Sequence, residues 1–332
     1  MKSEFEFIEN LRQKYSLNKI GDDCAVLPED SKTDLVVTTD LLIEDIDFRL
    51  KWTKPEFLGH KSLAVSLSDI AAMGAKPVWA MISIGIPETI WKTDFVDRFY
   101  EGWFGLANRF GVELVGGDIS KTDDKIVIDS IATGETKKGK AILRSTATVG
   151  DLIFVTGKLG GAAIGLQLLE AGEKYEKSVQ KNLLLRQLAP NPQTEIGQII
   201  GAKNLATAMI DLSDGLSSDL AHLCQASKVG AKIFADKIPT DNFLQSHKIA
   251  KPELQIPDFK FQIEDKLTCA LNGGEDFELL FTVNPKKKIQ VANWLKNHQV
   301  SAIGEITSNV EIIKLITDEK SEVLRPQGFR HF

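Results

Sequence analysis

Cysteine is scarce. The three copies, Cys24, Cys224 and Cys269, stand far apart and form no CxxC pair. That excludes a cysteine zinc site and fits a reducing compartment, the cytoplasm. The five histidines are scattered and make neither HxxxH nor HExxH, which removes the zinc hydrolases. GxSxG, the commonest serine-hydrolase elbow, is missing. Long apolar runs are missing too: VWAMISIGI (78–86) is too short to span a bilayer. The opening MKSEFEFIENLRQKYS lacks the apolar core of a signal peptide, so no membrane partner is expected. Positive charge is in deficit, with a net charge of −6. That argues against a nucleic-acid partner, which needs a clustered basic face, and says nothing against nucleotides.

What remains is an ordinary soluble composition. With 332 residues, 43% of them apolar, the chain can bury the core of two domains or one large one. Ser3 and Glu6 suit a capping box for a first helix. Residues 35–39, 78–86, 125–135, 151–157, 231–235 and 278–283 read as strands, and VELVGG (112–117) as a strand ending in its glycines. A helix is expected from about Thr53 or Glu56 to Gly74, with Leu63, Leu67 and Ile70 on one face and Ser62, Ser66 and Asp69 on another. A second runs from about Asp94 to Phe110, a Gly-rich stretch opens a third after residue 157, and residues 208–227 read as strand, tight turn and helix. Strands and helices mix without strict alternation, so the expected class is α+β, as two mixed α/β domains. The polar TKKGK (136–140) is the candidate junction, dividing residues 1–140 from 141–332.

One motif is a decoy. GETKKGKA (134–141) nearly satisfies the phosphate-binding Walker pattern, but Ala141 stands where the Mg²⁺-ligating hydroxyl belongs. It reads as a basic surface turn. A better signal is an aspartate recurring at the ends of apolar runs: Asp22 and Asp23, Asp40, Asp69, Asp118, and Asp211 with Asp214. Any single one is most simply a turn residue or a helix cap. Asp69 strains that reading, because it falls mid-helix, where Asp is a poor former. So does repetition, since gathered carboxylates repel one another unless bound Mg²⁺ relieves them. Hydroxyls accompany them at Thr38, Thr39, Ser68 and Ser213, and glycine turns at Gly116-Gly117, Gly215 and Gly273-Gly274. Glycine lets backbone N–H groups approach phosphate oxygens. Together these suggest Mg²⁺ with a nucleotide triphosphate. Arg144 offers a fork to phosphate, or is a surface arginine. In VVTTDLLIEDIDF (36–48), Glu44 and Asp45 read as solvated loop acids.

In this order the segments GDDCA (21–25), TTD (38–40), LAVSLSDIAAMGAKP (63–77), GGD (116–118), LRS (143–145), GDLIFVTGKLG (150–160), MIDLSDGLSSDL (209–220), SKVGAKI (227–233), GGEDFELLFTV (273–283), IGEI (303–306) and GFRHF (328–332) resemble the thiamine-monophosphate kinase family. Its superfamily also holds aminoimidazole ribonucleotide synthetase, selenophosphate synthetase and a hydrogenase maturation factor; SLSDIAAMGA and GFxHF favour the thiamine enzyme. The resemblance implies an ATP-dependent kinase that converts thiamine monophosphate to thiamine diphosphate by direct in-line transfer. It also implies a homodimer joined through the N-terminal sheet, with ATP in a groove near that interface. Residues 1–140 would bind ATP and Mg²⁺ and dimerise, and 141–332 would complete the nucleotide and substrate site. Carried over, Asp23, Thr38, Thr39, Asp40, Asp69, Asp118, Asp211 and Asp214 look like the Mg²⁺ shell. Gly117, Asp118, Arg144 and Ser213 look like ATP contacts, and Glu275 and Phe329 like substrate contacts. No residue need carry a covalent phosphate. The chain departs from the family at Ser66, usually Asn, at Thr146-Ala147, usually Gly-Ala, and at Asp47, where a substrate-contacting His is usual. Two alternatives stay open: a sister enzyme using ATP on another small acceptor, and a non-catalytic nucleotide-binding paralogue.

Overall fold

The computed structural model describes residues 4–171, 177–240, 265–318 and 320–329. The capping residue Ser3 lies outside them. A first helix, α1 (Glu4–Tyr15), precedes β1 (Ala25–Pro28) and β2 (Thr33–Ile43). β2 alternates as a half-buried strand must, with Val36, Thr38 and Leu42 turned inward. Then come α2 (Pro55–Ala72), β3 (Lys76–Pro87), a single turn α3 (Glu88–Trp91), α4 (Phe95–Phe110), β4 (Glu113–Thr122) and β5 (Val127–Lys137). The five strands form one sheet in the order β1-β2-β5-β3-β4, with only the β3–β4 pair parallel.

The strand expected to end at Gly116-Gly117 runs on to Thr122. β3 supplies a parallel ladder from Met81↔Gly116 to Pro87↔Thr122, after a bulge that leaves Val115 out of register. Those cross-strand bonds outweigh the weak strand propensity of the glycines. The decoy GETKKGKA is the end of β5 followed by a turn at Gly139, whose N–H donates to the Asp34 carboxylate at 2.6 Å.

The rest of the chain builds β6 (Leu152–Thr156), α5 (Gly161–Ala171), α6 (Lys177–Leu188), α7 (Thr194–Ala202), β7 (Ala208–Asp211), α8 (Leu216–Ser227), β8 (Gly230–Phe234), β9 (Leu279–Val283), β10 (Val300–Thr307), β11 (Ile313–Ile316) and β12 (Ser321–Val323), with further short helices at Asp265–Asn272 and Lys288–Trp294. Its seven strands follow the order β12-β11-β8-β10-β6-β9-β7. The mixed α+β class is therefore observed as two sheets with helices. The stretch 136–140 begins in the last two residues of β5, the final strand of the first sheet, and runs on toward β6.

The element that positions the site is α2. Leu63, Leu67 and Ile70 are buried as expected, but Ser62 and Ser66 on the other face are buried as well. The helix has almost no solvent side because it is gripped by the first sheet, α4 and α7. The α4 contact is close enough to need glycine: a methyl group on Gly59 would lie 1.9 Å from the Phe99 carbonyl oxygen, and one on Gly102 1.8 Å from that of Glu56. Most of α2 packs in the core of the first sheet, whereas Ala71 and Ala72 at its end belong to the core around Phe154, Met209 and Phe281 of the second. A side chain near residue 69 is thus held between both sheets.

Candidate active site

Three carboxylates meet there from three elements. Asp23 precedes β1, Asp69 stands on the last turns of α2, and Asp211 ends β7; their nearest oxygens lie within 4.8 Å of one another. Asp40 on β2 completes the set from the first sheet, where Ser66 donates to it at 2.7 Å and bonds Ser130 at 3.0 Å. Like Asp40, two more of the acids have a hydroxyl tether: Thr38 donates to Asp69, and Ser68 to Asp211 at 2.7 Å. Burial raises every one of these acids above the usual carboxylate range. Asp40 reaches about 6 and Asp211 about 8. Asp69 is also held well above its usual value, by burial and then by Asp40, Asp211 and Asp23. Desolvation is the main cause, and repulsion among the acids adds to it.

Arg144 supplies the positive charge. Its guanidinium donates to Asp23 and lies 3.6 Å from Asp22, whose carboxyl rises to about 7 through burial and the Asp23 charge. Two buried atoms here have no hydrogen-bond partner: Asp23 Oδ2, an acceptor, and Arg144 Nε, a donor. Unsatisfied buried polar atoms are costly, and their pairing in one place points to a ligand that brings both a cation and an acceptor. The all-oxygen donor set of Asp23, Asp40, Asp69 and Asp211 with the Thr38 hydroxyl fits a hard divalent ion such as Mg²⁺.

The other sequence-derived residues fall in three places. Thr39 and Asp118 are on the outer face of the first sheet, away from the four acids: Thr39 donates to Asp129 at 2.7 Å, and Asp118 lies with Asp129 along a hollow of about 290 Å³. Strand alternation explains the split, since Thr38 and Asp40 face α2 while Thr39 faces away. Gly117 and Asp118 also line a groove of about 500 Å³ with Tyr100, on the exposed edge strand β4. Asp214 groups with Asp219 and His222 rather than with Asp23, Asp69 and Asp211. Its neighbour Ser213 offers its carbonyl to the Glu275 N–H at 2.7 Å.

Glu275, in the loop before β9, has a φ of 66°, a left-handed conformation that costs energy in a non-glycine residue. Its carboxylate pairs with Lys61 of α2 at 2.6 Å and accepts from Gln187. Asp47 is close to the same lysine: its carbonyl accepts from Lys61 at 3.4 Å, while its carboxylate accepts from the Ile43 N–H at 2.8 Å and closes a turn. Phe329 is half-exposed and donates its N–H to the Asp214 carbonyl at 3.1 Å. Of the two acids read as solvated, Asp45 is exposed and pairs with Lys125, but Glu44 accepts from the Ile126 N–H at 3.0 Å and tethers the entry to β5. Lys61, Gln187 and Tyr100 are absent from the sequence-derived site, and Asp22, one of the recurring aspartates, has no role in its metal shell. A lysine inside the apolar run of a buried helix is the signal that marks Lys61.

Buried carboxylates beside a buried arginine could hold a metal ion and a phosphate together. The comparisons agree in kind. Residues 21–136 match the AIR synthase related protein, N-terminal domain, and residues 148–314 its C-terminal domain. The chain is 37% identical to the thiamine-monophosphate kinase of Buchnera aphidicola subsp. Schizaphis graminum, over 99% of each chain. It is 35% identical to that of Bacillus subtilis, over 94% of this chain and 93% of the relative. The solved structure of AaThiL complexed with AMPPCP and TMP superimposes with a TM-score of 0.84 at 32% identity, covering 99% of this chain and 97% of that one. The chain belongs to the thiamine-monophosphate kinase family.

Proposed function

We propose that this chain transfers the γ-phosphate of ATP to thiamine monophosphate, giving thiamine diphosphate and ADP. The observation that carries the reading is the buried Asp23–Asp69–Asp211 set, with its orphaned Asp23 Oδ2 and Arg144 Nε, in a chain alike along its whole length to named thiamine-monophosphate kinases. Bound Mg²⁺ would supply charge neutralisation on phosphate oxygens. Asp23, Asp40, Asp69 and Asp211 would hold it, with Thr38 orienting Asp69. The acceptor is itself an ionised phosphate, so the protein needs no strong base and no covalent intermediate, only alignment and positive charge. Arg144, whose Nε lies 3.6 Å from Asp22 without a hydrogen bond, would supply positive charge to the transferred group. Glu275, Phe329 and the Asp47 turn frame the thiamine end.

Thr39, Gly117, Asp118, Ser213 and Asp214 belong to the same reading as nucleotide and metal contacts. Asp118 and Thr39 lie across the sheet from the acids, so they serve if the nucleotide lies at a seam between two copies. The outer face and edge of the first sheet suit that: Leu27, Leu41, Val115 and Ile119 are all exposed. The assignment therefore includes a homodimer through this sheet. Residues 1–140 carry dimerisation and most of the metal shell, and 141–332 complete the nucleotide and substrate site. The reading includes a cytoplasmic location; among the described residues no helix is long and apolar enough to cross a membrane.

Incubation with ATP, Mg²⁺ and thiamine monophosphate should yield thiamine diphosphate, read by chromatography. ATP binding in calorimetry without product would assign the chain to the non-catalytic reading. Turnover only on another small acceptor would assign it to a sister enzyme.

A thermal assay tests the metal site without turnover. A carboxylate whose folded pKa is raised stabilises the fold below its unfolded pKa and loses that contribution as pH climbs through the folded value. For Asp40, Asp22 and Asp211 that window runs through about 6, 7 and 8. Metal-free protein should lose melting temperature across this range, and Mg²⁺, which competes with the protons, should restore more of it at the alkaline end. A Mg²⁺ effect that is flat with pH would count against these acids as ligands.

A further inference from the structure

The segment SDGLSSDL holds two serines in the first turn of α8, Ser217 and Ser218, both buried and neither used above. Each holds the backbone of the chain's last described segment. Ser217 Oγ accepts from the Gln327 N–H at 3.2 Å while donating to Asn272 Oδ1 at 2.7 Å. Ser218 Oγ accepts from the Gly328 N–H at 3.0 Å. The next N–H, that of Phe329, donates to the Asp214 carbonyl at 3.1 Å. Three consecutive amides of an otherwise irregular segment are therefore fixed on the first turn of α8 and the residue before its cap. Upstream, the Leu324 N–H donates to the Ile313 carbonyl at 2.9 Å, so the segment is tied at both ends.

Gly328 shows how close the fit is. A methyl group there would lie 2.3 Å from the Asp214 carbonyl oxygen and 2.6 Å from Ser218 Oγ. Any side chain at this position would lift the segment off the turn. The consequence concerns two residues already assigned to substrate. Glu275 hangs by its N–H from the Ser213 carbonyl at 2.7 Å, and Phe329 hangs from the next carbonyl, that of Asp214. Consecutive carbonyls, those of Ser213 and Asp214, thus anchor the backbones of Glu275 and Phe329 on one short stretch of chain.

We propose that Ser217, Ser218 and Gly328 form a clasp that positions Phe329 beside Glu275 to receive the aromatic end of the substrate; this rests on the reading of Phe329 as a substrate contact. Ser217 and Ser218 are positioning residues: they act on the substrate only through the segment they hold. The serine bonds of the clasp reach none of Asp23, Asp40, Asp69 or Arg144, and its one link to the metal and nucleotide contacts is the Asp214 backbone carbonyl.

The full-length Ser217→Ala/Ser218→Ala variant should show amide exchange at 327–329 accelerated by about tenfold or more, read by mass spectrometry on the C-terminal peptide. Two lost hydrogen bonds should raise KM for thiamine monophosphate about tenfold, with KM for ATP and kcat close to the parent. Gly328→Ala should do the same from the other side of the contact, and serves alone if the double serine variant does not fold. Unchanged exchange at 327–329, or a fall in kcat with KM for thiamine monophosphate unmoved, overturns the clasp. Phe329→Ala separates the two levels. If it raises that KM and the clasp variants do not, the positioning role fails. If exchange responds but Phe329→Ala leaves KM alone, the assignment of Phe329 fails and takes the substrate role of the clasp with it.

Discussion

Asp211→Asn should lower phosphate transfer to thiamine monophosphate by roughly 10³-fold while the folded protein becomes more heat-stable in the absence of Mg²⁺. Both effects have one cause. Asp211 is buried at the end of β7 within 4.8 Å of Asp23 and Asp69. Its carboxyl is pushed up to about 8, first by burial and then by the Asp23 charge. Above that pH the charge is a cost to the fold that only a bound cation offsets. Asn keeps the shape and still accepts the bond that Ser68 donates at 2.7 Å, so the local geometry survives. What it loses is the negative charge that a metal needs. At about pH 8 the variant should therefore melt above the parent without Mg²⁺ and gain less from adding it. A site tuned for binding rather than for stability behaves this way. Near-parental turnover in Asp211→Asn would remove Asp211 from the metal shell. A variant less stable than the parent without Mg²⁺ would show that the carboxylate is satisfied by the protein alone.

Much of this was legible in the sequence, and the parts that were not share a reason. Strands such as β2 and helices such as α2 follow from apolar periodicity, and Asp69 stood out because an aspartate inside a buried helix demands an explanation. The grouping of Asp23, Asp69 and Asp211 follows from strand ends and a helix that spans both cores, so the recurring aspartates were informative. Thr39 and Asp118 show the limit. Neighbours in TTD and GGD read as one motif, yet a strand sends adjacent side chains to opposite faces, and which face holds the site depends on pairing that one sequence does not display. The continuation of β4 through Gly116-Gly117 was hidden likewise, because its stability comes from the ladder to β3 rather than from its own residues. Lys61, Gln187 and the Ser217–Ser218 pair act by contacts across long stretches of chain. The Lys61–Glu275 pair joins α2 to the loop before β9, and no spacing rule within either segment announces it.

Arg144→Met should cost the metal-free fold about 3–5 kcal/mol and reduce kcat by about 10²–10³-fold. The guanidinium is the counter-charge in direct contact with both Asp22 and Asp23: it donates to Asp23, lies 3.6 Å from Asp22, and is largely buried with them. Without it two adjacent carboxylates are left in a site that already raises Asp22 to about 7. Their pKa values should climb further, and the sign rule then places the added instability on the alkaline side, where the acids must ionise. Mg²⁺ at Asp23 would replace part of the missing charge, so the variant should gain more melting temperature from Mg²⁺ than the parent does. Rate should not be restored in the same way. The orphaned Nε donor belongs to a planar fork that no metal on Asp23 reproduces. Arg144→Lys separates the two roles, because lysine returns the charge without the fork. It should recover most of the stability and little of the rate. Lysine restoring turnover as fully as stability would mean that Arg144 serves only as a counter-ion to Asp22 and Asp23, and that the phosphate is held by other residues.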